Sequence, residues 1–453
     1  MTGPDTLNRP KEIVDRLLSL AEKTHAEEYE AYLVRKSSLA IAVKEGRVDQ
    51  VRRNDEVSAA LRLMDHGRLG FAYTSVFTPE ALKQTADQAA AGAELTGPQP
   101  ELGLPEPPAR AWPEVDAFDP DLAKITLTDK INGVREMEAV ALDLDGRVEK
   151  VRQAEYSETE FSVRLANSHG LNHHHSGTVV GGSLVVKAVQ GAEAEMGYES
   201  DFARRYRDLD LESIGRDAAT RAVDSLGGRK VPTGRASVIL ENRVTAEFLD
   251  VLSASFLADN VQKGKSILAG RTGQKIMAGN INLVDDGLYP GGLATSPADA
   301  EGTPCQKTIL VSGGRLVSFL YDYSRARLDG AASTGNADRG GSASPPGIGP
   351  TNLYLAPGTK SPEELAGLMG EGLLVTEAMG VHTADPISGD FSLGVSGFWI
   401  RAGRLDHPVK GMALAGNIFK MFDQAAEVGS DLRFFGSTGA PSLLIHELTL
   451  SGL

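Results

Sequence analysis

Apolar and polar positions follow more than one rhythm along this chain, and each rhythm predicts a different element. In "RPKEIVDRLLSLAEKT", Ile13, Leu17, Leu20 and Ala21 recur at helical spacing, which predicts a charged amphipathic first helix. The runs "EAYLVRKSS", "LAIAVKEGRVDQV" and "VSAALRLMDHGRLGFAYTS" alternate with a period of two and break at Glu45-Gly46 and His66-Gly67. That pattern predicts an antiparallel meander, closed by a helix over "PEALKQTADQAAAGAEL". Thr96 to Pro113 then places six prolines in a polar stretch. Proline fixes its own φ and lacks an amide donor, so neither helix nor central strand is expected there, and the stretch reads as a linker.

Beyond the linker, "LAKITLTDKINGVREMEAVALDLDGR" has helical spacing, "VEKVRQAEYSETEFSVRLANS" and "TVVGGSLVVKAVQ" read as strands, and "LESIGRDAATRAVDSL" as a charged helix. "GGRKVPTGR", Gly227 to Arg235, marks a boundary before the apolar strand "ASVIL". From there to the end, short strands with Gly and Pro turns dominate, with two or three helices expected among them. The fold class is therefore α+β. An N-terminal α/β meander domain covers 1–95, the linker 96–113, a middle α+β domain 114–228 and a β-rich C-terminal domain 229–453.

Composition narrows the function. With 46 Lys+Arg against 61 Asp+Glu, the 453-residue chain carries a net charge of -15, which opposes a general affinity for nucleic acid or anionic membrane. The N-terminus has acidic residues and no apolar core of signal-peptide length, and no later stretch reaches the length of a membrane span, so a cytoplasmic location is expected. Cys305 is the only cysteine, which removes internal disulfides and cysteine zinc knuckles.

Three stretches invite a chemical reading. "GLNHHHSGTVVGG" sets three histidines in a row, with His169 and His173 four apart. That spacing joins two metal ligands only on a helix, and the surrounding Asn, Ser and Gly favour a turn. In a strand His173 and His175 share one face while His174 points to the other, and no cysteine lies nearby; an exposed hairpin end is the expectation, with His173 and His175 as the alternative metal ligands. "DNVQKGKS" matches the last three residues of a phosphate-binding loop, but Asp259 stands where its first glycine is needed and would repel a phosphate. "GVSGF" around Ser396 has its second glycine one place too early for a nucleophile elbow.

Several separated blocks, in order, resemble the TldD/TldE (PmbA) family. They are "FLDVLSASFLADNVQKGKSILAGRTGQKI", "NLVDDG", "EGTPCQKTILVSGGRLVSFLYD", "RARLDGAASTGNADR", "PTNLYLAPG" and "GNIFKMFDQAAEVGSDLRF". The likeness spans nearly the whole chain and is strongest from Val238 to Leu453. It implies a TldD/PmbA-like fold and a cytosolic system in which a TldD subunit and a TldE subunit pair as a metalloprotease acting on unfolded peptides, once described as a modulator of DNA gyrase. In the TldD type, the helix before "GKS" carries a His-Glu-x-x-x-His zinc motif. Counting back from "GKSILAG", its first His falls on Leu249, its Glu on Asp250 and its second His on Ala254; a further acidic position falls on Leu257. The TldD-type cysteine ligand near the C-terminus is also missing, and His446, the one candidate donor in that stretch, alternates with apolar residues and is expected to face solvent.

The resemblance thus implies the metal-free TldE type: no catalytic residue, no cofactor in this chain, and zinc in a TldD-type partner. It further implies unfolded peptides as substrates and leaves a homodimer open when the partner is absent. Without ligands the helix still has a purpose, since Val244, Phe248, Leu252 and Phe256 form an apolar stripe. Thr334, Gly335, Asn336 and Arg339 of "STGNADR", with Thr351 and Asn352 of "PTNLY", are the candidates for lining the peptide chamber. The alternatives are a self-sufficient metallopeptidase using His173 and His175, and a regulatory binding protein of the gyrase-modulator kind.

Overall fold

Turn chemistry builds the first layer. In the computed structural model, which describes residues 10–452, helix α1 (Pro10–Glu22) buries Ile13, Val14, Leu17, Leu20 and Ala21. It precedes the strands β1 (Glu28–Lys44), β2 (Arg47–Asp65) and β3 (Arg68–Thr74). The two turns between them fall at the expected breaks, with positive φ at both central residues: 53° and 69° at Glu45-Gly46, 49° and 71° at His66-Gly67. This is the two-residue hairpin whose twist matches that of the strands. Two runs that look separate in the sequence are one strand, because the polar middle of β1, Arg35 to Ser38, interrupts the apolar alternation but not the ladder to β2.

Helix α2 (Pro79–Leu95) starts at an N-capping Thr78. Helix α3 (Leu127–Asp143) starts at a capping box of Thr126 and Asp129. The strands β4 (Val148–Asn167), β5 (Asn172–Gln190) and β6 (Glu193–Ala203) follow, then helix α4 (Leu211–Asp224). Residues 10–95 and 114–228, separated by proline content, share one six-stranded sheet of order β3-β2-β1-β4-β5-β6, because β1 pairs with β4 from Glu30 to Val43. All four helices cover one face: α1 and α2 pack near Ala31 and Leu33, α3 and α4 near Leu39, Ile41 and Val43. Glu138 of α3 fixes the far hairpin by accepting from the amides of Glu45 (2.8 Å) and Gly46 (2.7 Å).

The stretch 96–113 holds no helix or strand, but it is tied down along its length. Leu104 is buried, Glu101 meets Arg325 at 3.2 Å, and Trp112 Nε1 donates to the Gly302 carbonyl at 2.9 Å. It is a strap between the sheet and the C-terminal region.

That region holds two further six-stranded sheets. In one, β7 (Gly234–Leu240) pairs with strands 372–379 and 443–452. Strand Arg404–Asn417 pairs with both Asp390–Arg401 and Leu443–Gly452, so this sheet closes on itself. The other runs through Leu283–Asp286, Lys307–Ser312, Leu353–Leu355 and Thr438–Ala440. Helix α5 (Asn242–Ser253) lies between the two, touching strands of both. Five α-helices occur here among the described residues rather than two or three; the four after α5 have 5 to 8 residues, too short for a helical period to stand out.

Candidate functional site

The helix expected to carry the apolar stripe is α5, continued by a 3-10 turn over Ala254–Phe256. Val244, Phe248, Leu252 and Phe256 are at most 2 % exposed, and the Phe248 ring lies 4.9 Å from that of Phe391. Of the three zinc-motif positions, Leu249 is wholly buried in the same core. Asp250 is exposed and accepts from the Thr438 hydroxyl at 3.3 Å, and Ala254 falls in the 3-10 turn. Leu257 follows that turn in extended backbone. One carboxylate beside two aliphatic side chains is not a zinc donor set, since such sites need three or four converging N, O or S ligands. The motif positions of α5 therefore do not fit the metal. Among the described residues, the one group of three donor side chains close enough to share an ion is Glu27, Asp65 and His66, at the β2–β3 turn.

The phosphate-loop remnant is equally occupied by structure. Ser266 is buried, donates to the Ser255 carbonyl at 2.7 Å and accepts from the Leu268 amide at 3.1 Å, while Asp259 pairs with Lys263 at 3.0 Å. Ser396 sits within strand Asp390–Arg401, and His446 is exposed. Cys305 is a buried free thiol, its Sγ 3.7 Å from the Gly335 carbonyl; burial and nearby Asp299 push its pKa well up, which opposes the thiolate a nucleophile needs.

The triple histidine opens β5 just after the β4–β5 turn, as a hairpin end, with His174 exposed. His173, however, is only 7 % exposed, which corrects the expectation of an open end. The strap folds back so that the Trp112 ring covers it at 4.5 Å, a long-range contact that local sequence does not carry. His173 Nε2 lies 3.2 Å from His175 Nδ1, a hydrogen bond between the two rings, and the Ser296 hydroxyl is 3.5 Å from His175 Nε2. His169 faces elsewhere, with Nδ1 2.8 Å from Glu106. No third strong metal donor completes the pair among the described residues.

Desolvation lowers both imidazoles to about 4, with like charge from His174 adding to it at His173 and from His173, Arg204 and His174 at His175. Above about pH 6.5 folded and unfolded chains both hold them neutral; as pH falls from there toward 4, the unfolded chain takes up protons that the fold refuses, so stability is lost in that window. The denaturation midpoint of the wild type is expected to drop more between about pH 7 and about pH 5 than that of His175→Gln, since the variant has lost one of these groups. Equal pH slopes would remove the assignment.

The six chamber candidates converge, but on buried partners. Asp285, 1 % exposed, accepts from Asn336 Nδ2 (2.8 Å), Thr351 Oγ1 (2.7 Å) and the Thr351 amide (2.7 Å). Burial pushes its carboxyl up while these bonds pull it down. Thr334 donates to Asn336 Oδ1 at 2.7 Å. Asn352 donates to the Asp286 carbonyl at 2.8 Å and accepts from the Ala294 amide at 3.0 Å. Gly335, at φ 73°, brings its Cα so close to the Pro304 carbonyl that a Cβ would sit 2.6 Å from that oxygen. The Arg339 side chain is 1 % exposed: it pairs with Glu30, donates to the Ala300 carbonyl at 3.1 Å and lies 4.5 Å from the Tyr32 ring centroid. Glu30 also pairs with Arg62 at 2.8 Å, and Arg62 with Glu301 at 2.8 Å. The side chains of Thr334, Asn336 and Asn352 are thus held by partners within the C-terminal region, and that of Arg339 by Glu30 and Tyr32 of the first sheet. Glu30, Arg62 and Glu301 carry the junction with Arg339, and Asp285 gathers Asn336 and Thr351; none of the four was singled out from the sequence, since they come from distant segments and share no motif.

Comparison with known proteins agrees with this architecture from end to end. Residues 29–93 match PmbA/TldA metallopeptidase domain 1, residues 120–226 the central domain and residues 233–452 the C-terminal domain of the same metallopeptidases. Metalloprotease PmbA of Escherichia coli O157:H7 is 27% identical over 420 residues, covering 92% of this chain and 90% of that protein. A crystal structure of a candidate modulator of a DNA gyrase from Thermotoga maritima superposes with a TM-score of 0.90 at 27% identity, over 97% of this chain and 100% of the other. TldE from Thermococcus kodakarensis has the same fold, with a TM-score of 0.89 at 24% identity over 97% and 100% of the two chains. With its three domains matched in order and its α+β fold shared, this chain belongs to the PmbA/TldD metallopeptidase family.

Proposed function

We propose that this chain is a non-catalytic, TldE-type subunit of a TldD/TldE metalloprotease, working in the cytoplasm on unfolded peptides. It walls the peptide chamber and supports a TldD-type partner that carries the zinc. The observation that carries this reading is α5 itself: where a catalytic helix needs two imidazoles and a glutamate, it offers buried Leu249, one exposed carboxylate at Asp250 and Ala254. The helix is kept and its chemistry is not, as expected of a subunit that retains the shape of its partner. Broad peptide selection fits main-chain recognition, in which an extended segment bonds to a sheet edge with little demand on its side chains.

Co-expression with a TldD-type chain from the same genome tests the reading. The two are expected to co-purify, and the partner's cleavage of an unfolded peptide to rise when this chain is added. Failure to co-purify, or partner activity unchanged by this chain, would overturn it.

A further inference from the structure

Away from α5's motif positions, three guanidinium groups meet where the first sheet touches the C-terminal region. Glu199 on β6, 1 % exposed, accepts from Arg221 Nε at 3.1 Å, from Arg433 Nη2 at 3.0 Å and from Arg243 of α5. Arg221 is satisfied independently by a two-pronged pair with Glu241 at 3.0 and 3.1 Å. Arg243 and Arg433 are left to share one oxygen of Glu199, although each fork can hold a carboxylate of its own.

The geometry of these two arginines is that of a prepared receptor. Both lie against the Phe435 ring, Arg243 at 4.5 Å and Arg433 at 5.1 Å from its centroid, and Arg243 also faces Tyr198 at 5.9 Å. Stacking fixes a guanidinium plane without using its N–H groups. Arg243 Nε is buried with no hydrogen-bond partner. Arg433 keeps 34 % of its side chain exposed, and Glu199 is that side chain's one hydrogen-bond partner among the described residues. Tyr198 and Met196 stand two apart on β6, exposed by 49 and 50 %, and Met196 borders a groove of about 660 Å³ lined by Met379 together with the charged Lys230, Glu377 and Lys410, the last already paired with Glu193 and Glu195.

We infer that Arg433, with Arg243 beside it, forms a carboxylate-binding site that anchors one end of an extended peptide whose apolar side chains lie along Tyr198, Met196 and Met379. The peptide in this statement rests on the proposed function. The ligand is a carboxylate rather than a phosphate, because Glu199, Asp217 and Glu247 already face these arginines and oppose a dianion more than a monoanion. The carboxylate belongs either to the peptide's C-terminus or to an acidic side chain, two sources of the same chemistry.

Fluorescence anisotropy of the full chain with a short, unstructured, N-terminally labelled apolar peptide tests this. Three forms are compared: the free acid, the C-terminal amide, and the amide ending in glutamate. Free acid is expected to bind the wild type about tenfold or more tighter than the plain amide, the worth of a charge-assisted fork. Arg433→Gln should erase that difference while leaving amide binding unchanged, and Arg433→Lys should restore it only in part; Glu199 keeps Arg221 and Arg243 in both variants, and an unaltered melting midpoint confirms their folding. If the glutamate-ended amide matches the free acid, the site reads any carboxylate; if it matches the plain amide, the site reads the C-terminus. Equal binding of acid and plain amide by the wild type, or a difference that survives Arg433→Gln, overturns the site while leaving the subunit reading intact. No binding of any form overturns it as well, whereas the subunit reading stands or falls on co-purification with the partner.

Discussion

Glu30→Ala is expected to lower the free energy of unfolding by about 3–5 kcal/mol, the usual loss when one partner of a buried ion pair is removed. Glu30 is 1 % exposed and stands between Arg62 and Arg339, whose side chains are 5 % and 1 % exposed. Without it, two guanidinium groups remain in low dielectric, and the ion pair that is left, Glu301 with Arg62, does not reach Arg339. The damage falls on the junction between the first sheet and the C-terminal region, and the sequence supplies a local reporter there. Trp112 bonds to the Gly302 carbonyl, next to Glu301, so its fluorescence should change at lower denaturant in the variant. Replacing Glu30 and Arg339 together by Leu and Met should recover part of the loss, because an apolar pair leaves only Arg62 to be balanced by Glu301. A loss below about 1 kcal/mol for Glu30→Ala would mean that water reaches this cluster.

Phe248→Ala should cost about 3–5 kcal/mol in the C-terminal region. Its ring is wholly buried against Phe391, on a helix held between the closed sheet and its neighbour. Trp399, on strand Asp390–Arg401, reports on this region. Asp250→Ala, two residues on but exposed, should stay within about 0.5 kcal/mol apart from the loss of one 3.3 Å bond to Thr438. The contrast bears on the role of α5, since a helix kept for its chemistry would lose function at Asp250, whereas a helix kept as core loses stability at Phe248. Comparable losses at both positions would contradict the core assignment.

Much of this was legible in the sequence because it is local. The period of two, the Glu45-Gly46 and His66-Gly67 turns and the stripe from Val244 to Phe256 each need only neighbouring residues to act, and each stands where the pattern put it. The missing donors at Leu249 and Ala254 were also legible, since a ligand that is not encoded cannot be folded into place. What escaped was set by distance along the chain. Trp112 over His173 closes 61 residues of chain, and Glu30 with Arg339 closes 309. The polar residues of "STGNADR" and "PTNLY" read as chamber lining because Gly-rich loops often carry function; their partners, Asp285 for Asn336 and Thr351 and Glu30 for Arg339, come from distant segments.

The most direct test of the central claim is the zinc content of this chain purified alone and with its TldD-type partner, measured by elemental analysis alongside peptide cleavage with and without a chelator. The account predicts no zinc above the buffer blank and no cleavage for the chain alone, with zinc and chelator-sensitive cleavage appearing only when the partner is present. One zinc per chain in the isolated protein, together with cleavage that a chelator abolishes, would contradict it.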